Sequence, residues 1–408
     1  MWLDAVAQNL GWPTPDQITS PKGGGPSHYA QLVCQKIGGA LGRWANIEVH
    51  TGVLSANPSG DSAEAPLAVV CEFPRPVSDD VLKEAQRLCW NFSRSSLLIT
   101  LEPHRIQAWS CSLAPKKGVK LNTLRVGPEV TFPDDPDSAA AGLQSEAAQM
   151  LHWVNLISGE ILRNNPRKFR KEQRADALLV NNLRVVRTRL ITQPDDTNRR
   201  ALTKENCHSL LARLIFTQFL FQRTDSDGRQ TITPGMLEGR FDGALSKEYE
   251  FESALEEILR NKEDAYALFR WLNDKFNGDL FPGKTGTPEE REAEWKKEKD
   301  AVEDWHLDLL ADFVGGKNDF GFGQLCLWPQ YSFDTLPLEF ISSVYEEFLN
   351  EDQEKDSAYY TPPHLVDFIL SRKSMIFAGC WKTIYSVWIE TAKPCAWRPS
   401  AFASPCAT

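Results

Sequence analysis

An apolar run, a capped amphipathic helix and a second apolar run follow one another within residues 66–101, and that order restricts the fold more than anything else in the chain. Residues 66–73, PLAVVCEF, suit a buried strand. Ser78 stands where an N-cap belongs, ahead of Leu82, Ala85, Leu88 and Cys89 at helical spacing. Residues 96–101, SLLITL, form a second strand, and 105–111 alternates as a third through Ile106 and Ala108. Strand, helix, strand is a β-α-β unit, which calls for a sheet with a helix packed on it. A further helix is predicted over 27–45 on Leu32, Val33, Ile37 and Leu41, and 57–65 reads as a polar turn region. Residues 1–127 therefore make a small α/β domain.

The remainder changes character. Residues 128–142 hold a Pro- and Asp-rich stretch read as a linker. From 143 the pattern is helical: 143–162 has an amphipathic period through Met150, Val154, Ile157 and Ile161. Residues 210–221, LLARLIFTQFLF, are apolar nearly all round, so Leu210, Leu214, Phe216, Phe219 and Leu220 are expected to be buried.

Charge is segregated along this region. The chain carries a formal net charge of -10, which alone argues against a non-specific polycation. Residues 163–200 nevertheless hold eleven Lys/Arg against four Asp/Glu, and 247–312 hold nineteen Asp/Glu against ten Lys/Arg. The acidic run reads as solvated helix surface; the basic run, densest at Arg163, Arg167, Lys168, Arg170, Lys171 and Arg174, is the candidate phosphate-contacting surface. Nine scattered cysteines without a C-x-x-C, and an N-terminus without basic or long apolar character, point to a reducing cytoplasm. No apolar run is long enough to cross a membrane. PGKTG at 282–286 lacks the spacing of a phosphate loop and reads as a turn.

At 359–370, YYTPPHLVDFIL, the sequence resembles the start of the catalytic domain of adenine-specific DNA methyltransferases, in particular the fused type IIG and type I-like enzymes of restriction-modification and phage defence. Three upstream stretches in matching order extend the likeness: LLARLIFTQFLFQR at 210–223, LNDKFNGDLFP at 272–282 and LWPQYSFDTLPLEFISSVYEEFL at 327–349. The resemblance implies an S-adenosylmethionine pocket with Tyr360, Thr361 and Pro362 on the cofactor side, where a helix N-terminus offers free N–H groups to the cofactor's carboxylate end. It also implies DNA as partner.

The departures from that family are specific. Neither the D-P-A-C-G-S-G-type glycine loop nor the N-P-P-Y or D-P-P-Y motif that holds the target adenine is present. FGFGQ at 320–324 precedes the Thr-Pro turn and lacks the acidic-Pro context. The expected architecture is thus α+β: the 1–127 domain, a linker at 128–142, a helical domain at 143–336, the N-terminal edge of a methyltransferase domain at 337–372, and no Rossmann-like core. An irregular tail at 373–408, with Cys380, Cys395, Cys406, Trp381, Trp388 and Trp397, is expected to be loosely packed. Such a chain is expected to be a truncated form that binds DNA, to bind no cofactor firmly, to transfer no methyl group alone, and to have a downstream-encoded methyltransferase half as a possible partner.

Two other classes stay open. One is a non-enzymatic DNA- or partner-binding module built on the helical domain. The other is a Mg²⁺-dependent nuclease of the PD-(D/E)xK type, with Asp61 and Glu72 as metal-binding carboxylates in a degenerate nuclease-like domain. In the second case Glu72-Phe73-Pro74 puts no Lys two residues after the Glu, and Arg75 is out of phase with it.

Overall fold

The computed structural model describes residues 2–19, 28–56, 65–115, 120–133, 142–193, 199–225, 228–276, 281–282, 286–317 and 328–337. Asp61, Tyr360, Thr361, Pro362, the 320–324 glycine cluster and the 373–408 tail lie outside the described residues. The protein is mixed α/β and falls into two compact units.

In the first unit, helices α1 (Trp2–Leu10), α2 (Pro15–Thr19), α3 (His28–Val33) and α4 (Gly39–Ala45) come before or beside a five-stranded sheet. A π-turn at Cys34–Gly38 joins α3 to α4. The strands are β1 (His50–Leu54), β2 (Ala68–Glu72), β3 (Leu97–Glu102), β4 (Arg105–Ser110) and β5 (Val130–Thr131), in spatial order β1-β2-β3-β4-β5. Helix α5 (Asp79–Phe92) crosses between β2 and β3, which pair in parallel with Glu72 opposite Leu101. The other three pairings are antiparallel. Ser78 caps α5 by accepting from the Val81 amide.

The central strands are buried on both faces, so they read as unbroken apolar runs rather than alternation. On one face Val70, Ile99 and Leu101 pack with Leu3, Val6 and Leu10 of α1. On the other, Val69, Cys71 and Leu98 pack with Leu82, Ala85 and Leu88 of α5 and with Val33 and Ile37. Gly52 is required on β1 because a Cβ there would meet the Ile18 carbonyl oxygen at 2.4 Å.

The structure revises the linker and helix expected after residue 127. β5 lies inside the 128–142 segment and closes the sheet edge against β4. The single helix expected over 143–162 is broken into α6 (Glu146–Gln149), α7 (Trp153–Ile157) and α8 (Glu160–Asn164). Ser145 and His152 cap α6 and α7 by accepting from the Ala148 and Val154 amides, and Gly159, at φ 70, turns the chain into α8. Leu151, Leu156 and Ile161 of these pieces fill the α1 face of the sheet, so they belong to the first unit.

Helices α9 (Ala175–Ile191) and α10 (Lys204–Gln222) each have residues in both units. The second unit is helical, with α11 (Pro234–Glu238), α12 (Ala254–Leu259), α13 (Lys262–Phe276), α14 (Pro288–Ala301) and α15 (Asp304–Val314). α14 starts on a capping box between Thr287 and Glu290, with Pro288 at its first position. Leu210, Leu214 and Leu220 of α10 are buried as expected, whereas Phe216 and Phe219 are half-buried. The acidic run is not all surface: Glu298 and Asp264 are interior. Glu298 accepts both prongs of the buried Arg213 guanidinium, at 2.7 and 2.5 Å, and the Tyr266 hydroxyl at 3.0 Å. Among the described residues no helix is long and apolar enough to cross a membrane.

Candidate nucleic-acid interface

The six cations singled out between Arg163 and Arg174 do not share one helix. Asn165 precedes Pro166, a placement that disfavours helical backbone, and it leaves α8 at φ -126, ψ 50. A turn follows, in which the Lys168 amide donates to the Asn165 carbonyl at 2.9 Å. A short 3-10 turn at Lys171–Gln173 then leads into α9.

This irregular stretch is fixed to the sheet unit at several points. Phe169 packs against the α1-side core. The Ser110 hydroxyl at the end of β4 donates to the Lys168 carbonyl. The Trp90 indole N–H donates to the Gln173 carbonyl at 2.9 Å. Two of the six cations are themselves anchors. Lys168 Nζ donates to the Thr123 carbonyl at 2.5 Å, and burial, then repulsion from Arg125, lowers its pKa from the ordinary value. Arg174 Nη2 donates at 2.7 Å to the carbonyl of Ser93, the C-cap of α5, where a cation also meets the negative helix end.

The other four, Arg163, Arg167, Arg170 and Lys171, are exposed, and among the described residues none has a carboxylate partner. The acidic residues between 160 and 174 are Glu160 and Glu172 alone. The arrangement is a row of cations on backbone held in place by its own anchors, so little ordering remains to be done when an anion row meets it.

Arg187 and Arg200, later in the basic run, serve the second unit instead. Arg187 is buried and donates from Nε to His208 Nε2 at 2.9 Å. Arg200 Nε binds Glu303 at 2.8 Å, and with the Arg200 amide this holds the Glu303 carboxyl down at about 2. The sequence singles out six cations by their density, but gives no view of the partners that tie down Lys168 and Arg174 among them.

Glu72 ends β2 and is 3% exposed. Its Oε1 accepts from the Leu3 amide at 3.1 Å, at the start of α1, where free N–H groups and the helix dipole favour a carboxylate. Among the described residues there is no group of three or more His, Cys, Asp and Glu side chains that could hold a metal ion. Cys34, Cys71, Cys89, Cys111 and Cys207 are free thiols, all but Cys34 buried. A buried arginine and an anchored cationic row are what the sequence alone did not reveal; the signal for the second was Asn165-Pro166, a helix stop in the middle of the charges.

No family model, curated protein or solved structure matches the chain.

Proposed function

We propose that the first unit binds duplex nucleic acid through the phosphate backbone. In keeping with the resemblance at 210–223, 272–282, 327–349 and 359–370, this serves a DNA-adenine methyltransferase of the restriction-modification or phage-defence kind. One observation supports this reading above the others. Arg163, Arg167, Arg170 and Lys171 are exposed and lack carboxylate partners among the described residues, while Phe169, Lys168, Gln173 and Arg174 between and beside them are tied to the sheet unit. A merely solvated surface needs no such fastening. The phosphate contacts themselves carry no sequence preference, because they position a protein without reading bases.

The same reading assigns the cofactor role to Tyr360, Thr361 and Pro362, and no methyl transfer to this sequence by itself, since it holds neither the glycine loop nor the N-P-P-Y motif. Fluorescence anisotropy with unrelated duplexes at rising salt, alongside a labelled methyl-transfer assay, tests both parts. Binding that weakens with salt and no transfer are the expected results. Absence of binding at low salt contradicts the first part, and transfer above the background of a Thr361→Ala variant contradicts the second.

A further inference from the structure

Large apolar side chains stand exposed beside the cationic row. Val154 is 62% exposed, Ile157 47% and Leu162 38%, although the neighbouring Leu156 and Ile161 are buried in the core of the first unit. Val154 and Ile157 lie three residues apart on α7 and so share a face. Leu162 is on α8, which packs against α7 through the turn at Gly159, and it is followed at once by exposed Arg163. Leu156 and Ile161 fix both short helices to the sheet, so this apolar face is held outward rather than left over from a loose segment.

Resting on the nucleic-acid reading above, we propose that Val154, Ile157 and Leu162 form an apolar wedge. It enters the minor groove of duplex DNA at a deformable step while Arg163, Arg167, Arg170 and Lys171 hold the flanking phosphates. Apolar side chains pushed between base pairs unstack one step and kink the duplex by roughly 20–90°, and they work beside cations that retain the bent backbone. The charge beside the patch matches that partner. A lipid surface fits less well: α7 and α8 are five residues each, far shorter than the amphipathic helices that lie in a membrane interface. The wedge makes binding prefer TA-rich duplexes, whose pyrimidine–purine steps open most easily, although no base edge is read.

The test uses the full chain and a variant with Val154→Ser, Ile157→Ser and Leu162→Ser. These positions are exposed, so the variant is expected to melt as the wild type does. A second variant, Ile157→Phe, keeps an apolar tip and is expected to keep the bend. Binding to a TA-rich and a G·C-only duplex, and end-to-end energy transfer across each, are measured. The triple variant is expected to lose about tenfold in affinity for the TA-rich duplex, a step of about 1.4 kcal/mol, together with the bend and the duplex preference, at an unchanged salt slope. Equal affinity and bending in wild type and triple variant overturn the wedge while leaving phosphate binding intact. Wild-type protein that binds no duplex overturns both readings. Wild type that sediments with phosphatidylserine vesicles or dimerises, while the triple variant does neither and still binds and bends DNA as before, assigns the patch to a lipid surface or a second copy and overturns the proposal.

Discussion

Trp90 donates its indole N–H to the carbonyl of Gln173 across 2.9 Å, from a side chain that is fully buried on α5 and stacked on Tyr331. One hydrogen bond thereby ties the crossover helix of the sheet unit to the segment carrying the exposed cations. Trp90→Phe removes the donor and leaves the Gln173 carbonyl without it. The expected loss is roughly 1–3 kcal/mol of stability, with faster amide exchange at 171–174. Denaturant unfolding and hydrogen exchange check this; unchanged exchange there contradicts the anchoring role.

The buried pair in the second unit makes a separate prediction. Arg213 lies over the Phe269 ring at 5.3 Å and binds Glu298 with both prongs. Arg213→Ala strands a buried carboxylate, an expected cost of roughly 3–5 kcal/mol, whereas Arg213→Met with Glu298→Met loses far less because no charge is left unpaired. Thermal or denaturant unfolding of both variants decides it. A double variant as damaged as the single one shows that the pair's geometry, rather than the stranded charge, holds the unit.

Acid sensitivity follows from His306. It is fully buried on α15, its Nδ1 accepts from the Glu303 amide at 2.8 Å, and its Nε2–H is then left to donate to the Arg200 carbonyl at 2.9 Å. Burial lowers its pKa from the ordinary 6.5, outweighing the upward pull of the Arg200 carbonyl and of Glu303. A base with a depressed folded pKa takes up its proton more readily when unfolded. Its contribution is therefore intact above the unfolded pKa, near 6.5, and is lost as pH falls through the lower folded value. The melting temperature of the wild type is expected to fall between about pH 7 and 5, and His306→Gln is expected to flatten that slope. A slope that survives the substitution assigns it to other groups.

Much of the first unit was legible in the sequence for a physical reason. β2 and β3 are covered on both faces and so appear as apolar runs, and Ser78 announces α5. β1 was missed because Gly52 and polar neighbours dilute its pattern, although Gly52 is there to admit the Ile18 carbonyl. β5 is two residues long, hidden within a Pro- and Asp-rich stretch, and only its pairing with β4 makes it a strand. The cations at 163–174 were legible as charge but not as shape, because the chain leaves α8 at Asn165-Pro166 and the charges that follow are not on one helix. Arg213 sits in a run that reads as a uniformly apolar helix, and its partner Glu298 is 85 residues away, beyond the reach of any local pattern.

The central claim is that four exposed cations on an anchored segment bind phosphates. Replacing Arg163, Arg167, Arg170 and Lys171 together with Ala tests it most directly, because all four are exposed and none has a carboxylate partner among the described residues. With three or four phosphates engaged, the wild-type logarithmic salt dependence of the binding constant is expected to have a slope of about -3, from roughly -0.9 per contact on duplex DNA. The account predicts that the variant melts like the wild type while its slope collapses toward zero and its affinity with it. A variant that binds duplex DNA with the wild-type slope contradicts the account and moves the interface elsewhere on the protein.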